Sequence, residues 1–151
     1  MTIQNLKLKT PQHGSAPYGN LTMLRYELKF DAKGRLVGGT SGEAVKQSDE
    51  IILDTLPAGF AIERATVFNT TSSSGAPTAT LGYAYRDGTE VAQSKESLLK
   101  AGTLASQPKV HSTNSAIVDI AKPANLVLTL GGAASNITLQ VTVVGEARGG
   151  L

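Results

Sequence analysis

Cysteine and tryptophan are absent from this sequence of 151 residues, and only two histidines occur. Without cysteine there are no disulfide bonds, no thiolate zinc sites and no cysteine nucleophiles. Aromatic residues account for 5% and charged residues for 17% of the chain, and the charged share lies below the roughly 25% usual for soluble domains. The sequence is therefore poor in the side chains from which most catalytic sites are built.

Long apolar runs and strong charge are also missing. No stretch of about 18 apolar residues occurs, so we predict no transmembrane helix, and Met1-Thr2-Ile3-Gln4-Asn5 lacks the basic and then apolar layout of a signal peptide. The net charge of +2 is too small to indicate a nucleic-acid-binding protein. A chain of this length fits one domain that buries its own core.

Alternation of apolar and polar residues with a period of two is the main pattern in the sequence, and it indicates β-strands. The strongest example is Asn136 to Val144, whose apolar odd-numbered residues share one face. Leu126 to Leu130 alternates in the same way just before it, and the spacer 131–135 is too short for a crossover helix. We therefore predict that these two strands form an antiparallel pair.

Further strands are predicted along the rest of the chain, separated by turn residues such as Asp31-Ala32-Lys33-Gly34 and Leu56-Pro57-Ala58-Gly59. The Asp87-Gly88 dipeptide is the strongest hairpin signal. The segments are Leu24 to Phe30, Arg35 to Val37, Glu43 to Leu53, Phe60 to Asn69, Thr78 to Arg86, Thr89 to Ala92 and Ser115 to Ala121.

Two segments carry finer predictions. In Phe60 to Asn69, simple alternation places Ile62 and Phe68 on one face and Ala61, Ala65 and Val67 on the other. Ser94 to Ala101 instead contains helix-forming residues after a serine N-cap and before Gly102, and it predicts about two helical turns.

These elements predict an all-β protein: an antiparallel β-sandwich, jelly-roll-like, with about eight strands and one short helix. The N-terminus differs from this body because residues 10–20 contain two prolines, two glycines and almost nothing apolar. We therefore divide the chain into an N-terminal arm, residues 1–20, and a sandwich domain, residues 21–151.

No arrangement of residues indicates catalysis. The histidines His13 and His111 are far apart in the sequence, and no G-x-S-x-G motif occurs. The turn Gly39-Thr40-Ser41-Gly42 resembles a nucleophile turn only superficially. Asp49 and Glu50 are neighbours in a predicted strand, so they face opposite sides and do not share an ion. We predict that the protein is not an enzyme and has no metal site and no cofactor.

The N-terminal arm contains the residues most suited to binding another protein. A short strand, Ile3 to Lys9, has alternating leucines and lysines, and Tyr18 is an aromatic residue without an obvious place in the core. A terminal strand on an extended connector can pack on a neighbouring subunit, although a merely mobile N-terminus and a lysine-protected edge strand are equally compatible with the pattern. The candidate partner-binding residues are Ile3, Leu6, Lys7, Leu8, Lys9 and Tyr18.

One resemblance to a known family is carried by three segments. The first is a turn, Leu56-Pro57-Ala58-Gly59, that follows an apolar residue and leads into a strand. The second is a loop of threonine, serine and glycine that leads into the strand Thr78-Ala79-Thr80-Leu81-Gly82. The third is a closing pair of strands, residues 125–132 and 137–143. This pattern, over about Ile51 to Val144, resembles the head decoration (cement) proteins of tailed bacteriophages.

The resemblance implies a function without chemistry. Such proteins bind the outer surface of the assembled head, stabilise it by bridging neighbouring major capsid proteins, and cluster as homodimers or homotrimers. It implies a virion protein made in the host cytoplasm, with the major capsid protein and itself as partners and with neither nucleic acid nor membrane among them. Alternatives are another virion structural component (a head-fibre base, a tail or a baseplate protein), a carbohydrate-binding module, for which aromatics are scarce, and a small hydrolase, for which a base beside a nucleophile is missing.

Overall fold

A computed structural model describes residues 3–5, 21–70, 77–91, 94–103, 109–111, 117–132 and 134–147. Ten strands and one turn of 3-10 helix, Ser94–Glu96, occur in these ranges. The strands are β1 (Ile3–Asn5), β2 (Leu21–Lys29), β3 (Glu50–Leu56), β4 (Phe60–Asn69), β5 (Thr78–Tyr85), β6 (Leu99–Thr103), β7 (Lys109–His111), β8 (Val118–Ile120), β9 (Ala124–Leu130) and β10 (Thr138–Ala147).

The strands form two sheets packed face to face. The first sheet has the order β1-β3-β9-β5-β6, and the second has the order β2-β10-β4-β7, with β8 also paired to β4. All pairs are antiparallel except β1 with β3. Because β2, β3, β4 and β5 alternate between the sheets, the chain repeatedly crosses from one layer to the other. The predicted all-β, jelly-roll-like sandwich is confirmed.

The core lies between the two sheets and is built by alternate residues of the long strands. In β2, every second side chain from Leu24 to Leu28 is buried and each intervening one is exposed, as the period of a half-buried strand requires. Each large side chain that is fully buried contributes roughly 1.5–3 kcal/mol through the hydrophobic effect. The largest such side chains are Tyr26, Phe30, Leu28, Ile51, Leu53, Leu56, Ile62, Leu81, Leu98, Leu99 and Ile120.

One polar contact crosses this core and joins the two sheets. The Tyr26 hydroxyl on β2 donates a hydrogen bond to Asp54 Oδ2 on β3 at 2.8 Å. Burial, and secondarily the nearby Asp54 carboxylate, raise the pKa of Tyr26 well above its usual range. The hydroxyl is therefore protonated over the whole physiological range and remains a donor.

The predicted pairing of the last two strands is wrong. β9 pairs with β3 and β5 in the first sheet, whereas β10 pairs with β2 and β4 in the second. The glycine-rich spacer between them is not a hairpin but a crossing between layers. It is held at its start by the Gly131 N–H, which donates to the Thr78 carbonyl at 2.9 Å, and at its end by the Asn136 N–H, which donates to the Asp31 carbonyl at 3.0 Å.

Simple alternation also fails within β4. The register of β4 against β10 skips Glu63, which forms a β-bulge between Ile62 and Arg64. The extra residue changes the parity of the strand, so that Ile62, Ala65 and Val67 all face the core. The predicted separation of Ile62 from Ala65 and Val67 is therefore wrong.

The segment after Asp87-Gly88 differs from the prediction as well. Gly88 has φ of +82°, but Asp87 is not among the residues with positive φ, and a type I′ hairpin turn needs positive φ at both positions. The chain consequently does not return along β5 at Thr89 to Val91, while Ala92 lies outside the described residues. The strand that pairs with β5 on the side away from β9 is β6. The predicted helix is reduced to the 3-10 turn Ser94–Glu96.

The remaining boundaries shift by a few residues. The predicted strand from Glu43 begins only at Glu50, and its first half forms turns and an isolated bridge between Arg35 and Ala44. The Asp31–Gly34 loop is present, and Phe30 bridges to Leu36 across it. The predicted strand from Ser115 is confirmed at β8, with Ile120 buried.

Candidate interaction surfaces

The residues that resembled a catalytic turn have structural roles. Thr40 Oγ1 accepts a hydrogen bond from the Asn5 N–H at 3.2 Å, and Ser41 Oγ accepts one from the Glu43 N–H at 3.3 Å. The first bond ties β1 to the loop beside it, and the second closes a local turn. Among the described residues, no three histidine or acidic side chains lie close enough together to hold a metal ion. His111 lies in β7, and His13 lies outside the described residues.

The carboxylates of Asp31 and Asp49 are likewise used in local structure. Asp49 Oδ2 accepts the Lys46 N–H at 2.9 Å, and Asp31 accepts the N–H groups of Lys33 and Arg35, each at 2.9 Å. The backbone hydrogen bond from Arg35 is the main reason that the pKa of Asp31 is lowered. These groups shape turns, and they do not converge on a common point.

The outer face of the first sheet is covered by the segment that connects β5 to β6. We call this segment, residues 86–91 and 94–96, the strap. It crosses β5 at Gly82, where an added Cβ would lie 2.1 Å from the Ser94 carbonyl oxygen. Only glycine permits such an approach of two backbones. The consequence is that Val127, which pairs with Gly82 on the outer face, is only 2% exposed.

Ion pairs help to fix both ends of the strap. Lys95 Nζ pairs with Glu50 Oε1, which lies on β3 and is almost buried. At the other end of the strap, Asp87 accepts the Thr89 N–H at 2.8 Å and pairs with Lys122 at 3.1 Å. The backbone hydrogen bond from Thr89 is the main cause that lowers the pKa of Asp87 to about 2.

A groove of about 960 Å³ lies between the strap and the first sheet. Its floor is a polar row across three strands, formed by Glu50, Thr129 and Thr80, which are neighbours in the sheet register. Tyr85 lines one end, but Lys122 Nζ lies 5.6 Å from its ring centroid, and the ring of Tyr83 is inclined to it at 57°. Tyr85 is thus already in contact with Lys122 and Tyr83, which disfavours a role as an aromatic platform that stacks on sugars.

The outer face of the second sheet has no such cover among the described residues. Its edge strand β2 exposes Leu21 and Met23, which are 65% and 56% accessible, followed by Arg25, Glu27 and Lys29. Large exposed apolar side chains that are neighbours on one face are typical of protein contact surfaces. The sequence already indicated these exposed residues. Leu21 and Met23 are odd-numbered, whereas the core residues of this strand, which begin at Leu24, are even-numbered.

The predicted partner-binding residues are mostly outside the part of the chain that the structure describes. Leu6, Lys7, Leu8, Lys9 and Tyr18 fall there. Ile3 is described: it is 52% exposed and its backbone pairs with that of Glu50 in the parallel β1–β3 ladder. The structure therefore places one of the six residues at the edge of the first sheet.

Among the described residues, no helix is long and apolar enough to cross a membrane. No protein-family model matches the sequence, and no curated protein matches it.

Solved structures do share the fold. A chain from the capsid of Ralstonia phage GP4 superposes with a TM-score of 0.62 at 17% identity, over 91% of this chain and 90% of that one. A chain of the capsid asymmetric unit of cyanophage Pam1 gives 0.56 at 18% identity, over 92% and 91%. A chain from the acid-stable capsid of Helicobacter pylori bacteriophage KHP30 gives 0.57 at 14% identity, over 88% and 92%.

Proposed function

We propose that the protein is a structural component of a tailed-bacteriophage virion, and specifically a decoration (cement) protein on the outer surface of the head. The observation that carries the proposal is the shared fold with chains from three phage capsids, each covered over about nine-tenths of both chains. At 14–18% identity this likeness defines a fold, so the assignment to a capsid and to its outer surface is our inference.

The lengths of the matched chains support an accessory role. This chain covers 90–92% of each neighbour while 88–92% of its own residues are matched. The likeness is therefore between whole chains of nearly equal length, and not between this protein and one domain of a much larger shell-forming protein.

Stabilisation by such a protein needs contacts and no chemistry. Packaged DNA presses a head outward, and a protein that bridges neighbouring major capsid proteins must be detached before they separate. One standard interface buries roughly 1,600 Å². Attachment of a homodimer or homotrimer at several points strengthens binding further, because each later contact forms at a high effective concentration.

The N-terminal arm, residues 1–20, is our candidate for docking on the capsid or on a neighbouring subunit. Ile3 contributes an exposed apolar side chain beside the first sheet, and Leu6, Lys7, Leu8, Lys9 and Tyr18 would extend that surface with lysines and one aromatic anchor. An acidic partner surface would complement the lysines. The sandwich, residues 21–151, would supply the rigid body.

The direct test is binding to heads. Purified protein is mixed with mature heads assembled without it, and co-sedimentation and the temperature of DNA release are measured. We expect saturable binding and a higher release temperature. Failure to co-sediment would refute the decoration role, and cryo-electron microscopy showing the density in the tail, baseplate or a head fibre would assign the protein to another virion component.

The arm is tested with charge-matched variants. A double variant Lys7→Glu and Lys9→Glu reverses two arm charges, whereas Lys33→Glu and Lys46→Glu reverse two exposed charges of the sandwich. We expect only the arm variant to lose head binding, with a loss that becomes smaller at high salt because charge attraction is then screened in both proteins. Equal binding by both variants would exclude the arm lysines as docking residues.

A further inference from the structure

The edge strand β2 has backbone groups that no other described strand uses. Among the described strands, β2 is the terminal strand of the second sheet and pairs with β10 alone, over nine residues without interruption. An edge strand of this length presents a row of unpaired N–H and C=O groups. The hydrogen bonds at the end of β2 identify the residues whose backbone groups are unpaired.

Two hydrogen bonds show whether the odd-numbered or the even-numbered residues of β2 direct their backbone groups away from the sheet. The Phe30 N–H donates to the Ile137 carbonyl at 2.8 Å, so the even-numbered residues of β2 direct their backbone groups to β10. The odd-numbered residues direct theirs away from the sheet. The Lys29 carbonyl confirms this, because it accepts a hydrogen bond from the Val37 N–H, at 2.8 Å, on the side opposite β10.

The Lys29–Val37 bond also limits the free edge. Beyond it, Phe30 bridges to Leu36, so the segment from Arg35 to Val37 occupies the end of the edge. In the described residues the open stretch is Leu21 to Glu27. Its outward backbone groups belong to Leu21, Met23, Arg25 and Glu27, which are spaced symmetrically about Leu24.

This stretch lacks most of the features that protect natural sheet edges. It contains no proline, its ladder with β10 has no bulge, and its inward side chains, Leu24 and Tyr26, are buried in the core. Proteins usually use proline, bulges or inward charges to prevent pairing at an edge. Of the outward residues, Arg25 and Glu27 are charged, but Leu21 and Met23 are apolar and exposed.

We propose that β2 pairs in antiparallel fashion with β2 of a second copy of this chain, about a twofold axis at Leu24. Leu21 then lies opposite the partner subunit's Glu27, and Met23 lies opposite the partner subunit's Arg25. All four outward residues of each copy become paired, which no other antiparallel register achieves. A register shifted towards Lys29 is blocked by Val37, and a register shifted the other way leaves residues of the stretch unpaired.

The side chains of the open face suit this arrangement. In each chain the Arg25 guanidinium already lies 3.9 Å from Met23 Sδ. Across the axis, Met23 gains the aliphatic part of the partner subunit's Arg25, whose charged end stays in water. The two second sheets become one continuous sheet with both cores on the same side, and two apolar side chains per copy become partly covered.

The first test uses a matched pair of variants at Arg25 in the full-length protein. Arg25→Pro removes an outward N–H and leaves the bonds to β10 intact, whereas Arg25→Ala removes the same side chain and keeps the N–H. By sedimentation equilibrium we expect a dimer for the wild type and for Arg25→Ala. Arg25→Pro should raise the dimer dissociation constant roughly 30-fold or more, because two backbone hydrogen bonds per dimer are lost. A wild-type monomer or trimer, or an unchanged Arg25→Pro dimer, would overturn the proposal.

The second test avoids proline, which can disturb the fold of the monomer. Because the sequence has no cysteine, chains carrying Met23→Cys can be mixed with chains carrying Arg25→Cys and oxidised. Directly opposite residues of this kind have Cα atoms roughly 5.5 Å apart, within disulfide range. We expect mixed disulfide dimers to predominate. Met23→Cys homodimers in excess, or no cross-linking, would contradict a twofold axis at Leu24.

Both measurements concern the isolated protein and go beyond the proposed capsid role. A dimer that fails to bind heads would contradict the proposed function alone. Head binding by a strictly monomeric protein would contradict the dimer alone.

Discussion

The two sheets of this sandwich differ in what lies on their outer faces, although their inner faces are built alike. On the first sheet the strap covers β5 and leaves Val127 only 2% exposed. On the second sheet the equivalent central strand carries Val144, which is 9% exposed beside the accessible Met23. The outer faces therefore differ in cover: the strap crosses the first and is held by ion pairs, whereas no such segment lies over the second among the described residues.

The difference arises from one connection. The strap exists because the chain leaves β5 at Asp87-Gly88 without a hairpin and returns over Gly82 before it forms β6. No segment of this kind lies over β10 among the described residues. A single loop thus determines which sheet has its outer face covered. Substitutions in and under the strap measure how much it contributes to stability.

The largest effect is expected at Gly82. Gly82→Ala places a Cβ against the Ser94 and Lys95 backbone, so the strap has to move, and we expect a loss of about 3 kcal/mol in the free energy of unfolding. Gly132→Ala is the matched control, because its Cβ would be 3.8 Å from the nearest atom, Pro77 Cβ. We expect that control to be neutral or stabilising by up to about 1 kcal/mol. Equal effects in urea unfolding would show that the strap is not packed on β5.

Val127 and Val144 permit the same substitution on both outer faces. In Val127→Thr the new hydroxyl is buried under the strap, and we expect a destabilisation of about 1–2 kcal/mol. Val144 is 9% exposed and no strap crosses it among the described residues, so the hydroxyl of Val144→Thr reaches water more easily, and we expect a smaller loss, below about 1 kcal/mol. Thermal and chemical unfolding of the two variants compare the faces directly. A larger loss at Val144 would reverse the comparison.

The Lys95–Glu50 pair tests whether charge fixes the strap. Lys95→Met leaves the nearly buried Glu50 without its cation, and we expect a loss of about 1 kcal/mol. Lys100→Met breaks the more exposed pair with Glu96, at 3.7 Å, and should cost less than about 0.5 kcal/mol. Glu96 also belongs to the strap, but its pair is weaker, so hydrogen exchange of the strap amides should accelerate more in the first variant than in the second. Similar exchange rates in both variants would indicate that packing alone, and not the Lys95–Glu50 ion pair, holds the strap on the sheet.

The smallest effect is expected from Asp87, and it depends on pH. Its folded pKa of about 2 is below the unfolded value near 3.9. The carboxylate therefore stabilises the fold above about pH 4, and this contribution disappears as the pH falls towards 2. Wild type should melt slightly above Asp87→Asn at neutral pH, with the difference vanishing near pH 2. A constant difference across this range would mean that the Asp87 charge does not hold the strap.

Much of the fold was predictable because strand faces are a local property. The core residues of β2 and β9 follow from alternation alone, and the boundaries of β4 agree with the prediction exactly as Phe60–Asn69. The bulge at Glu63 was not predictable in this way, because one unpaired residue changes the parity of a strand without altering its composition. The candidate arm residues other than Ile3 stay a prediction, since they lie outside the described residues.

The exposure of Leu21 and Met23 on β2 could not be predicted from alternation alone. Leu21 and Met23 are apolar at positions where Arg25, Glu27 and Lys29 are charged. In the sequence they could belong to either face, because the strand could begin with either parity. Only the continuous register with β10 places them outside.

The sequence alone determined the class of the protein, the inward-facing residues of its long strands and the shortage of catalytic side chains. These follow from composition and from a period of two, which each strand carries within itself. The tertiary structure decided which sheet each strand joins, so that β9 and β10 separate although they are neighbours in the chain, and it decided that the strap closes one face while β2 remains at an edge. Such choices depend on contacts between residues far apart in the sequence, and many pairings bury the same apolar faces equally well until the whole sandwich is assembled.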